Sequence, residues 1–219
     1  MRDTAWKPSC GACSKTQPDE EIHMGDYTVI GAVSKTLRDL LQDNITNSTD
    51  PHIKGVAIHL LSPKEMQAAG ETIGVSVWLY KVSRMAEMLN DPPQRKKPDQ
   101  VAWFPLPVLL YYLITPMTTH PETRHVLLGK VLQVFNDHAI LRGADLKGSL
   151  TGKTDQLRVN LEALTLEELS LVWYALGEPY QLSVTYLIQV VKIDSELEPI
   201  HSSPVLKKEM AYEQILAVN

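Results

Sequence analysis

The sequence predicts an α+β domain. It has about four to five strands in one mixed or antiparallel sheet, with three helices packed on it and an arm at each end. Three observations predict this. Three segments repeat apolar residues at three- and four-residue spacing, as amphipathic helices do. Several shorter segments alternate residue by residue or run apolar between turn formers, as strands do. The two ends lack either period. The resulting division is an N-terminal arm at 1–26, a domain at 27–194 and a C-terminal arm at 195–219.

Residues 1–26 are polar, carry both cysteines and read as an arm ordered, if at all, by a partner. A helix is expected over 28–43. Val29, Ala32, Val33, Thr36, Leu37, Leu40 and Leu41 form one face, with Asp26 or Thr28 as the cap. A strand is expected over 56–61, closed by Ser62-Pro63. The next, over 72–82, has apolar residues on both faces, which predicts a central strand. Residues 84–105 form a long insertion with Pro92-Pro93, the basic run Arg95-Lys96-Lys97, Pro98, Trp103 and Phe104. Loops of that length are often functional.

A buried strand is expected over 106–114, with Pro107 tolerated at its start or on an edge. Pro121-Glu122 opens a second helix whose apolar residues run from Val126 to Phe135. A glycine-rich loop over 143–152 leads to a short strand at 157–161. Thr165 and Glu168 form a capping box for a third helix at 166–175, which Gly177 ends. The last strand spans 182–193. Beyond it the chain turns polar, with Pro199 and Pro204, and regains a weak helical pattern near Met210, Ile215 and Leu216.

The chain has 219 residues, 44% hydrophobic and 21% charged, with a net charge of −5. A chain of that length buries roughly 70% of its unfolded surface, so it needs no metal or disulfide for stability. An acidic balance argues against nucleic acid and against anionic membrane surfaces as partners. The longest apolar run, 104–114, contains two prolines and is shorter than the roughly 20 residues of a membrane helix. The first eight residues have no apolar core and do not read as a secretory signal, so the expectation is assembly in a cytoplasm.

No constellation of catalytic residues emerges. Gly152-Lys153-Thr154 resembles the end of a phosphate-binding loop, but Gly148 and Gly152 are one residue too close. A helix precedes this loop and a strand follows, the reverse of what nucleotide binding needs, so it reads as a flexible loop. Cys10 and Cys13 have the spacing of half a zinc site, with His23 as a third candidate ligand. No fourth ligand is evident, and unliganded cysteines are the default, so no metal or cofactor is expected. His120 and His125 do not share a helix face, and His138 fits a helix end, where a cation meets the dipole. Glu167 and Glu168 fall in a first helical turn, which explains them without catalysis. The interaction candidates are Arg95, Lys96, Lys97, Trp103 and Phe104 in the long loop, and Pro199, Pro204, Val205 and Leu206 in the C-terminal arm.

Several segments together resemble a known family. They are Ile30 to Leu37, Val77 to Val82 followed by Asn90-Asp91-Pro92-Pro93, Leu106 to Thr115, and Leu127 to His138. The most specific is Leu164 to Ser170 with Trp173, Ala175-Leu176-Gly177 and Pro179-Tyr180. In this order they are similar to the cap, or tail-terminator, protein of extracellular contractile injection systems, which are phage-tail-like particles. The resemblance covers 28–194 and leaves 1–26 outside. It implies a tail-terminator-like fold and no catalytic residues. It also implies a structural role: a hexameric ring at the end of the particle distal to the baseplate. There the ring would end the inner tube, contact the last sheath layer and leave the cell with the particle. The alternatives are a tail-completion adaptor in the same particle, or a metal- or redox-responsive binding module built on Cys10 and Cys13.

Overall fold

A computed structural model describes residues 27–87, 95–97, 100–101, 103–151, 156–198 and 200–201. The first helix, α1 (Val29–Leu41), buries the apolar face read from its spacing: Val29, Ala32, Val33, Thr36, Leu37 and Leu41. Thr28 stands at its N-cap without a side-chain capping bond. The helix does not stop at Leu41 but widens into a π turn over Gln42–Thr46, which drops Ile45 into the core.

The strand expected over 56–61 is cut to two residues, β1 (Ile58–His59). Ser62-Pro63 does not merely close it. Ser62 caps a helix the sequence reading lacked, α2 (Pro63–Ala68). Its hydroxyl accepts from the Glu65 amide at 3.2 Å, and the Glu65 carboxylate accepts from the Ser62 amide at 2.8 Å. The signature is Ser-x-x-Glu with proline at the first helical position.

The main sheet is mixed and has six strands in the order β1-β2-β5-β8-β7-β6. Besides β1 these are β2 (Gly74–Arg84), β5 (Leu106–Met117), β6 (Ile140–Leu141), β7 (Leu157–Glu162) and β8 (Val184–Ile193). Only the β1–β2 pair is parallel. The short strand β6 is the one that the expected four to five left out. Pro107 is the second residue of the central strand β5, and its carbonyl accepts from the Met85 amide at 3.0 Å.

The strand β2 is less central than its two apolar faces suggested. It pairs with β5 along its length, but with β1 only at Val75 and Ser76. Its faces are apolar because helices cover both. On one face α1 and α3 (Pro121–Asp137) meet Val75 and Val77 together with Val108, Leu110, Tyr112 and Ile114 of β5. On the other face α4 (Leu166–Leu176) sends Leu169, Trp173 and Leu176 against Leu113, Trp78 and Tyr80. The expected capping box of α4 is present, and Gly177 ends the helix at φ 74°.

The long loop and the C-terminal segment form a second sheet, in the order β3-β4-β9. Its strands are β3 (Arg95–Lys97), β4 (Gln100–Val101) and β9 (Ile200–His201).

Candidate interaction surface

The two stretches singled out in the sequence lie side by side. Gln100 and Val101 of the long loop pair with His201 and Ile200 of the C-terminal segment. The indole of Trp103 donates to the Glu198 carbonyl at 2.9 Å, while 45% of the side chain stays exposed. That bond satisfies the polar edge of the ring and leaves its apolar body on the surface. Phe104 is half-buried beside it in the chain. Arg95, Lys96 and Lys97 form β3, so the basic run is a strand of this small sheet. Pro199, Pro204, Val205 and Leu206 lie outside the described residues, as do Cys10, Cys13 and His23. Among the described residues no group of three or more His, Cys, Asp or Glu could hold a metal ion.

The glycine-rich loop is not loose where it is described. Its two 3-10 turns, Gly143–Asp145 and Gly148–Leu150, carry Leu146 and Leu150 into the core. The Lys147 amide donates to the Thr36 hydroxyl at 3.0 Å, which ties the loop to α1. Gly148, at φ 63°, sits where a Cβ would come within 3.3 Å of the Ala32 side chain, so the glycine serves packing here. Gly152, Lys153 and Thr154 lie outside the described residues. His138 is the C-cap of α3, with its Nδ1 2.9 Å from the Val134 carbonyl, which is the capping role. Glu168 is the acidic half of the α4 capping box, and bonds from the Thr165 amide and hydroxyl hold its carboxyl below the usual range.

The second face of the main sheet was not singled out from the sequence. The register places Lys81, Tyr111, Leu187 and Asn160 in one row across four strands. The Lys81 ammonium sits 4.6 Å from the centre of the Tyr111 ring, and Tyr80 meets that ring edge-on at 6.2 Å. Burial, with Glu162 second, pushes the Tyr80 phenol up to about 12, so it stays neutral. Beside this face α4 exposes apolar residues of its own: Leu166, Leu171 and Tyr174, the last at 85%. The signal was in the sequence, because α4 carries apolar residues beyond the stripe of Leu169, Trp173 and Leu176 that it buries.

The family described as the Pvc16 N-terminal domain matches residues 32–207. One solved structure similar to the chain is the sheath/tube terminator of an extracellular contractile injection system, PVC, in its extended state. The TM-score is 0.59 at 19% identity, over 87% of this chain and 65% of that one. Another is the tube-terminating cap of the anti-feeding prophage, with a TM-score of 0.58 at 18% identity, over 82% of this chain and 60% of that one. The chain thus spans under two thirds of the length of either. No curated protein matches the sequence. The tail-terminator-like fold expected from the resemblance is the fold these structures share with the chain.

Proposed function

The chain belongs to the Pvc16 N-terminal domain family, and on that premise we propose that it is a structural cap of a contractile injection particle. Copies assemble into a closed ring, hexameric in this reading, at the baseplate-distal end. The ring occupies the surface on which the next tube ring would add, and so ends growth of the inner tube. It also contacts the last sheath layer. The role is mechanical, without catalysis or a cofactor, and the cap is assembled in the cytoplasm as part of the particle.

The observation that carries this reading is the family match across 32–207, together with a fold held in common with a sheath/tube terminator and a tube-terminating cap. The molecule has features suited to a ring. Among the described residues, β2 has no second strand partner from Trp78 to Arg84, and a ring contact can cover such an edge. Closed cyclic symmetry makes the assembly finite. The small sheet, with Trp103 and the basic strand β3, is the surface offered to the tube or to a neighbouring subunit, and the arms at 1–26 and 195–219 are the reach toward the sheath.

Particles assembled without the chain test the reading by negative-stain microscopy. Tubes of uncontrolled length or bare distal ends are expected. Tubes of normal length with intact ends would overturn it. A defect confined to another junction would favour a tail-completion adaptor.

A further inference from the structure

The main sheet has a free edge on each side. On one side β1 covers β2 at Val75 and Ser76, and no described strand pairs with that flank from Trp78 to Arg84. On the other side β6 covers β7 at Leu157 and Arg158, and the Val159 amide donates to the Ala139 carbonyl at 2.9 Å. No described strand covers that flank from Asn160 to Glu162. Each free edge carries one exposed apolar side chain, Val82 at 48% and Leu161 at 58%. Both stand on the sheet face that α1 and α3 pack, since Val82 opposes Leu110 and Leu161 opposes Tyr186.

The two edges match in direction and in level. The strand β2 is antiparallel to β5, β5 to β8 and β8 to β7, so β2 and β7 run in opposite senses. Trp78 shares a row with Leu113, Thr185 and Glu162 across the sheet. Copies set side by side around an axis along the strands therefore bring β7 of one against β2 of the next as an antiparallel pair. The backbone groups match as well. The Val75 amide donates outward, to the Ala57 carbonyl at 2.8 Å. Peptide groups alternate sides along a strand, and the register shift between Leu79 and Lys81 reverses the alternation, so Val82 aims its amide and carbonyl outward. Leu161, two residues beyond Val159, aims its own outward from the opposite edge.

The neighbouring strands select the register. Because β6 fills the flank of β7 at Leu157 and Arg158, a strand laid along β7 must stop at Val159. The strand β2 stops at Arg84. Arg84 opposite Val159 sets Ser83 opposite Asn160, Val82 opposite Leu161 and Lys81 opposite Glu162. Sliding β2 further runs it into β6, and sliding it back loses pairs. In this register the two exposed apolar side chains meet, and a cation meets a carboxylate. Neither Lys81 nor Glu162 has a salt bridge among the described residues. Pairing β2 with a second β2 would instead gather Lys81 and Arg84 of both copies along one edge, like charge against like.

We propose that the Trp78–Arg84 edge of one copy pairs with the Val159–Glu162 edge of the next, with Val82 opposite Leu161 and Lys81 opposite Glu162. The sheet then continues from copy to copy around the ring. The inference rests on the ring reading above and names the contact that closes it.

Mixed disulfides test it in the full chain, in a Cys10→Ser/Cys13→Ser background with tube subunits present. One preparation carries Leu161→Cys and another, enlarged by a tag, carries Val82→Cys. Mild oxidation of the mixture is expected to give a dimer of summed mass. Asn160→Cys in place of Leu161→Cys should give none, because Asn160 lies on the other face of the sheet. By mass photometry, Lys81→Glu should lower the multimer population about tenfold, and Lys81→Glu/Glu162→Lys should restore it. If multimers form but neither the mixed disulfide nor the rescue appears, the edge pairing falls and the ring reading stands. Val82→Cys linking to itself and not to Leu161→Cys would also overturn the pairing, in favour of a two-fold contact. If no multimer forms, with or without tube subunits, both fall.

Discussion

Tyr112 lies at the centre of the molecule, fully buried on β5, with its phenol 2.7 Å from the Ser34 hydroxyl of α1. Burial pushes that phenol up to about 12, so it joins helix to sheet as a neutral hydrogen-bonding group. A Tyr112→Phe variant should lose about 1 kcal/mol in urea unfolding, because the Ser34 hydroxyl keeps its bond to the Ile30 carbonyl. Leu113, the next residue, points to the opposite face and packs against Trp173. Leu113→Ala should cost about 2–5 kcal/mol by the same measurement. The sequence showed both residues as part of one apolar run. It could not show that alternate residues of the run serve two separate cores, because an apolar residue on either face reads the same.

At the scale of the element, local chemistry explains what was legible. The capping box of α4 was read from Thr165 and Glu168, and it is present. The same chemistry at Ser62 and Glu65 is ambiguous in the sequence, because a serine-proline pair after a short apolar run also ends a strand. Both carboxylates are held below their usual range by bonds from the capping residue, in each case chiefly a backbone amide. A lowered folded-state value means the stabilisation is present above the unfolded value near 4.5 and is lost as pH falls through the folded one. Thermal unfolding between pH 5 and 3 should therefore show a steeper loss for the native chain than for a Glu65→Gln/Glu168→Gln variant, whose side chains do not titrate. At neutral pH each cap replaced should cost about 1 kcal/mol. Gly177→Ala should cost about 1–2 kcal/mol, since its φ of 74° is strained for any residue with a Cβ.

The small sheet was beyond local reading altogether. Its strands are two or three residues long, and β9 lies nearly a hundred residues from β4, so no window of sequence contains the pairing. What the sequence did carry was the oddness of both stretches: a long loop with a basic run and two aromatics, and a proline-bearing tail. Trp103→Ala removes the bond to Glu198 and the exposed ring together. It should speed amide exchange at Gln100 and Val101 while leaving exchange in β5 and β8 unchanged.

For the whole molecule, the arrangement is one of surfaces. Helices cover parts of both faces of the sheet, one flank of β2 lacks a partner beyond its short pairing with β1 among the described residues, and α4 shows apolar side chains outward. Such a chain gains from neighbours, and the proposed ring would supply them. The most direct test is cryo-electron microscopy of intact particles in which this chain carries a small tag. The account predicts tag density as a closed ring at the baseplate-distal end and nowhere else along the sheath. Density at the baseplate, along the shaft, or absent from complete particles would contradict it.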